Sequence, residues 1–255
     1  MATLSELISE NSSLKANEVE HLFELVAEWR LLADLSFADL LLWLPIRRDE
    51  KSWPEGHLAI AQIRPTTAAT VFTEDLVGTS INWGQRPLVD QALSEGEIVR
   101  DAKPEQVGQI VIKEETIPVI LNGKILAVIS RHRNADLMRQ PSKLELNYRE
   151  IAHKIYKMVA EGNFPIRNSL YSSESSPRVG DGLIRLDVNG TIFFASPNAR
   201  SALSRVGFQK ELEGENLGVV FSNLNKGDTQ PTDESWQTML NGKSLRRTEY
   251  ESQSA

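Results

Sequence analysis

The chain has 255 residues, 40% hydrophobic and 25% charged, with a net charge of −7, which suits one or two ordinary soluble domains. It has no cysteine, so disulfides, thiolate metal sites and cysteine nucleophiles are excluded. The acidic balance, with no basic cluster beyond Arg246-Arg247, argues against direct nucleic-acid binding, which needs a concentrated positive face.

A polar start is followed by Val19, Leu22, Phe23, Leu25, Val26, Trp29, Leu32 and Ala33, whose spacings of three and four predict one helix over 17–36. Phe37 to Ile46 and His57 to Arg64 read as strands. The first is the longest apolar run, but it contains Asp39 and is too short to cross a membrane. Glu6 and Glu10 stand where a secretion signal would be basic, so a cytoplasmic location and no membrane partner are expected. Residues 66–82 are Thr-rich and leave strand and loop open. Pro87 to Glu95 fits a short helix, with proline at its first position and Gly96 as its stop.

Glu114 to Leu121 and Lys124 to Arg131 flank Asn122-Gly123, the pair that tolerates the positive φ angles of a tight hairpin turn. Over 142–161, Leu144, Tyr148, Ile151, Ile155 and Met158 recur at alternating gaps of four and three, which predicts a helix with a seam for a partner helix. Ile155 is taken as an outward residue of that seam. Residues 163–180, with two prolines, five serines and little apolar content, read as a linker between domains at 1–162 and 181–255.

In the second domain Leu183 to Val188 and Thr191 to Ser196 flank Asn189-Gly190, predicting a two-residue hairpin turn in which Leu186 faces Phe193 and Ile184 faces Ala195. Ser196-Pro197 then supplies the cap and first residue of a helix. Ile184, Leu186, Phe193, Ala199 and Leu203 form the inward set, which would line any cavity here. In the first domain Trp83 and Arg86 are the corresponding candidates, in a loop that could close a pocket.

Catalytic constellations are absent from the sequence. His21, His57, His132 and His153 fit no metal-ligand spacing, and no phosphate-binding glycine loop or nucleophile elbow occurs. No catalytic or metal residue is assigned, and no cofactor is expected for the chain itself.

The hairpin and helix start at 181–200 resemble the opening of a PAS sensor domain. Glu211 to Leu217 resembles the segment that wraps the PAS cavity, and Trp236 to Gly242 its last helix and turn. Together with Glu28 to Asp39, Ala160 to Pro165 and Ser175 to Asp187, nearly the whole chain resembles the sensory half of the actinobacterial PdtaS-type sensor histidine kinases. The resemblance implies an α+β chain: a GAF domain, an antiparallel sheet flanked by N- and C-terminal helices, followed by a PAS domain. That PAS domain is incomplete, because Lys243 to Glu251 can give a third strand and nothing follows for a fourth and fifth. It also implies a sensory role in a two-component system, with a homodimer through helices 17–36 and 142–161. A kinase core outside this chain would use ATP and magnesium and act on a response regulator, an RNA-binding antiterminator. Glu150 to Lys157 is similar to the family's phosphoacceptor sequence, but Ala152 replaces its first histidine and no Asn pair follows His153. The chain alone is therefore expected to be inactive as a kinase. The alternative is a free-standing GAF/PAS protein that binds a small molecule or acts as an adaptor.

Overall fold

The computed structural model describes residues 2–47, 49, 52–100, 104–107, 110–135, 140–165, 178–205, 207–224, 235–240 and 243–248. It divides into two compact units, Met1–Arg167 and Asn168–Ala255; most of the predicted linker lies outside the described residues.

The first unit opens with a helix that the sequence reading missed, α1 (Leu4–Asn11), nucleated by reciprocal Thr3 and Glu6 capping bonds. The helix expected over 17–36 is two: α2 (Ala16–Ala27) and α3 (Trp29–Ser36), separated at Glu28 with φ −86° and ψ 0°. The break has a packing reason. In α2 only one side is buried, whereas α3 buries Trp29, Leu31, Leu32, Ala33 and Leu35 around most of its circumference, so a straight continuation could not serve both. A continuous apolar stripe does not register that change of direction.

A seven-stranded antiparallel sheet follows, made of β1 (Asp39–Ile46), β2 (Gly56–Ile63), β3 (Ser80–Asn82), β4 (Val99–Arg100), β5 (Glu105–Val107), β6 (Ile110–Leu121) and β7 (Lys124–Asn134). Its order is β3-β2-β1-β7-β6-β4, with β5 also pairing to β6. Asn122 and Gly123 both have positive φ, 51° and 77°, and join Leu121 to its partner Lys124 as predicted. Helix α4 (Pro87–Glu95) starts and stops where proline and Gly96 place it, and covers one sheet face: Val89, Ala92 and Leu93 pack with Leu41, Trp43, Ala59 and Val128.

Helix α5 (Lys143–Glu161) covers the other face with α3. Ser142 and Glu145 cap its start and Gly162, φ 77°, ends it. Here the expected seam needs correction. Ile155 is 5% exposed and buried inside the unit, as are Tyr148, Met158 and Val159, because the same 3,4 spacing that suits a partner helix also suits the chain's own sheet.

In the second unit β8 (Ile184–Leu186) pairs with β9 (Ile192–Ala195), Pro197–Arg205 forms α6 and Leu217–Leu224 forms α7. Ile184 faces Ala195 as expected, but a bulge after Arg185 sets Leu186 opposite Ile192 instead of Phe193. The cause is Asp187, whose Oδ1 accepts the amides of Asn189 (2.9 Å) and Thr191 (2.8 Å) and closes a wider turn than Asn-Gly alone would. The slip exchanges faces. Ile192 is buried, while Phe193 is 47% exposed beneath the Arg185 guanidinium. The core comprises Ile192, Ala195, Ala199, Leu203, Leu212, Leu217, Val220 and Phe221, with Ile184 and Leu186 against it. Residues 236–240, expected in a helix, lie instead in β10 (Ser235–Leu240), which pairs antiparallel with β11 (Lys243–Thr248). Leu240 and Lys243 face each other across Asn241-Gly242, a hairpin signal that the helix assignment overrode. The remainder of the predicted strand to Glu251 lies outside the described residues.

Candidate functional site

Register brings three titratable side chains into one row on the α4 face of the first unit: Asp39 of β1 lies opposite His132 of β7, which lies opposite Glu114 of β6. Segment 64–79 is tied down over this row. Asp34 of α3 accepts from the Thr66 amide and hydroxyl, Asp39 accepts from the Thr70 hydroxyl and the Val71 amide, and the Gln62 side chain accepts from the Leu76 amide. The threonines thus serve buried carboxylates, which is why their stretch resisted assignment as a strand.

Asp39 is fully buried, and desolvation raises its pKa against the opposing effect of the Thr70 and Val71 hydrogen bonds. Burial, with the Arg86 cation nearby, pushes His132 down to about 3, so the imidazole is neutral at physiological pH. Its Nε2 lies 2.9 Å from Ser130 Oγ and 3.8 Å from Glu114 Oε1, with the Phe72 ring edge-on at 4.8 Å. Trp43 Nε1 donates to the same Ser130 hydroxyl at 2.8 Å. Arg86 spans the group: its guanidinium is 3.6 Å from Glu114 and 5.7 Å from the Trp43 ring centre.

A second buried pair holds the adjoining turn. His57 Nε2 is 2.6 Å from Asp90 Oδ1, and Asp90 Oδ2 accepts from the Gly84 amide at 2.7 Å. Burial lowers the His57 pKa although Asp90 opposes it, so the Nε2–H of a neutral ring donates to the carboxylate. Trp83 stacks 5.6 Å above His57 and meets Trp53 edge-on at 5.0 Å.

Of the sequence candidates, Arg86 belongs to the charged and aromatic group with Trp43, His132 and Glu114, while Trp83 stands in the adjoining turn against His57 and Trp53. Ile184, Leu186, Ala199 and Leu203 come together in the second unit's core, and Phe193 does not. His153 is exposed, with Nδ1 3.2 Å from Arg100 Nη2. The row itself was missed. Its signal was one Asp, His or Glu on each of three strands, but the bulge at Val119/Ile120 shifts the ladder by one; a regular register would set His132 against Lys113. The arrangement offers a donor at Arg86, acceptors at Glu114 and neutral His132, and aromatic walls, the means to bind a small polar molecule. Among the described residues no cluster of His, Asp and Glu could hold a metal ion, and no helix is long and apolar enough to cross a membrane.

The family model described as "Histidine kinase PdtaS, GAF domain" matches residues 4–152. The Sensor histidine kinase PdtaS of Mycolicibacterium smegmatis is 41% identical over 224 residues, 86% of this chain and 44% of that protein. Its counterpart from Mycobacterium tuberculosis is 42% identical over 225 residues, 85% of this chain and 43% of that protein. The chain thus spans less than half the length of these relatives. Among solved structures, "Sensor region of a sensor histidine kinase" superposes with a TM-score of 0.72 and 38% identity, over 86% of this chain and 74% of that one. With more than half of its residues matched, this α+β chain belongs to the PdtaS histidine kinase GAF family.

Proposed function

We propose that the chain is the signal-sensing region of a two-component sensor histidine kinase, located in the cytoplasm, whose first unit detects a small polar molecule between the Asp39–His132–Glu114 row and segment 64–86. The observation that carries this reading is the similarity to sensor histidine kinases along 85% or more of the chain, across both units. The second unit is read as PAS-like, with Ile184, Leu186 and Leu203 as candidate ligand-facing residues. ATP, magnesium and a response regulator belong, in this reading, to the kinase core of the whole protein. A homodimer would use helix faces that the first unit leaves open, namely Val19, Phe23 and Val26 on α2 and Leu146 on α5; Phe23 is 41% exposed and Leu146 52%.

The test is a chimaera in which this chain replaces the matching region of the M. smegmatis kinase. Autophosphorylation should be retained and reset, by about threefold or more, by Arg86→Gln or Glu114→Gln; a change of that size is under 1 kcal/mol of bias on a two-state output. A chimaera with normal activity that is indifferent to both substitutions, each shown to be folded by circular dichroism, would remove the site from the signalling role.

A further inference from the structure

On the opposite sheet face from the row just described, the chain assembles a positive pocket in a protein whose net charge is −7. Lys113 of β6 stands directly opposite Arg133 of β7. Like charges so placed destabilise a ladder. Arg149 of α5 approaches from above, and with Asn134 and Glu145 these side chains line a cavity of about 120 Å³. The nearby carboxylates are committed. Glu115 is shared by Arg100 at 2.5 Å and Arg131 at 2.7 Å, while Glu145 accepts the Ser142 amide at 2.7 Å in its capping box.

Arg149 is undersupplied with acceptors among the described residues. Arg149 lies over the Phe37 ring at 5.8 Å, and its buried Nε has no hydrogen-bond partner among the described residues. Arg133 is half-buried, and burial together with the Arg149 and Arg131 cations lowers its pKa, which Glu115 only partly opposes. An arginine held against two other cations is an expensive arrangement for a purely structural role.

From the like-charge Lys113–Arg133 pair, the unsatisfied Arg149 Nε and the cavity between them, we infer that this pocket binds a compact dianionic oxyanion, the phosphate group of free phosphate or of a small phosphomonoester. Among the described lining residues, Lys113, Arg133 and Arg149 set against Glu145 leave two positive charges in excess, which a dianion neutralises and a singly charged phosphodiester does not. Two guanidinium forks and an ammonium match the oxygens of a tetrahedral anion. The site is independent of the ligand-binding role proposed for the α4 face, and its occupation would fasten the start of α5 to the ends of β6 and β7.

Titration calorimetry on the full 255-residue chain tests this, in mildly alkaline buffer at constant ionic strength, with inorganic phosphate, glycerol phosphate and dimethyl phosphate as probes. Phosphate and glycerol phosphate should bind saturably at one site and compete, and dimethyl phosphate should not bind. Tighter binding of glycerol phosphate would identify the ligand as a phosphorylated small molecule; equal affinity would identify it as phosphate itself. Arg133→Gln and Lys113→Gln should each weaken binding about tenfold or more, the loss expected for one charge-assisted contact, while the thermal midpoint of the ligand-free protein stays level or rises as the like-charge pair is relieved. Absence of saturable binding, equal binding of dimethyl phosphate, or affinity unchanged in both folded variants would overturn the assignment.

Discussion

Burial of two histidines makes the first unit sensitive to acid. His132, about 3 in the fold against an ordinary 6.5, and His57, also lowered, both resist protonation while folded. The unfolded chain takes up those protons as pH drops below about 6.5, so their contribution to stability is present above that value and is lost progressively toward about 3. Asp39 has the opposite sign: its raised pKa favours the fold once protonated, near and below the unfolded value of 3.8, and loses that contribution as pH rises. Denaturant midpoints should therefore fall as pH is lowered from 7 to 5, and His132→Gln should flatten that slope; an unchanged slope would show that the ring titrates alike in the folded and unfolded chain. None of this could be anticipated from residue identity. His132 differs from exposed His153 through Phe72 and Arg86, which are distant in sequence, and through burial between strands that meet only on folding.

At the level of elements, local chemistry was the reliable guide. Pro87 and Gly96, Ser142 and Gly162, and Asn122-Gly123 punctuated α4, α5 and the β6–β7 hairpin because each acts within a turn of its own position. Periodicity located apolar faces without saying what covers them, and α5 is where that matters. Ile155→Glu places a carboxylate against the sheet and should cost about 3–5 kcal/mol, lowering the melting midpoint on the order of 10 °C, with loss of fold preceding any loss of association. Phe23→Asp, on the open side of α2, should leave the melting midpoint within a few degrees and, if the helices form the dimer seam, shift sedimentation from dimer to monomer. A wild-type monomer would rule the seam out, and a Phe23→Asp dimer would place it elsewhere.

Across the whole molecule, the order of a GAF-like sheet between helices and then a second α+β unit was legible because each unit carries its own hairpin signals. Strand pairing in the second unit was not, since the Asp187 turn shifted the first hairpin's register and the hairpin signal at Asn241-Gly242 gave way to a helix assignment. The same whole-chain view bears on catalysis. His153 Nδ1 faces the Arg100 guanidinium, a donor only, so that nitrogen's lone pair is engaged. Phosphoryl transfer needs an imidazole nitrogen aligned with a bound γ-phosphate. The chain incubated with radiolabelled ATP and magnesium should give no acid-labile label, and label abolished by His153→Gln would reverse this expectation.

The Trp53–Trp83 contact gives the first unit an optical readout of its own. Two indoles held edge-on at 5.0 Å, one of them resting on His57, are close enough for their excited states to couple, which gives a near-ultraviolet dichroic signal that depends on their mutual angle. Any event that lifts segment 82–86 from the sheet turns Trp83 against Trp53 and alters that signal, and Trp53→Phe removes the coupling while leaving the Trp83–His57 stack in place. Rearrangement of this turn is therefore visible in the unlabelled protein.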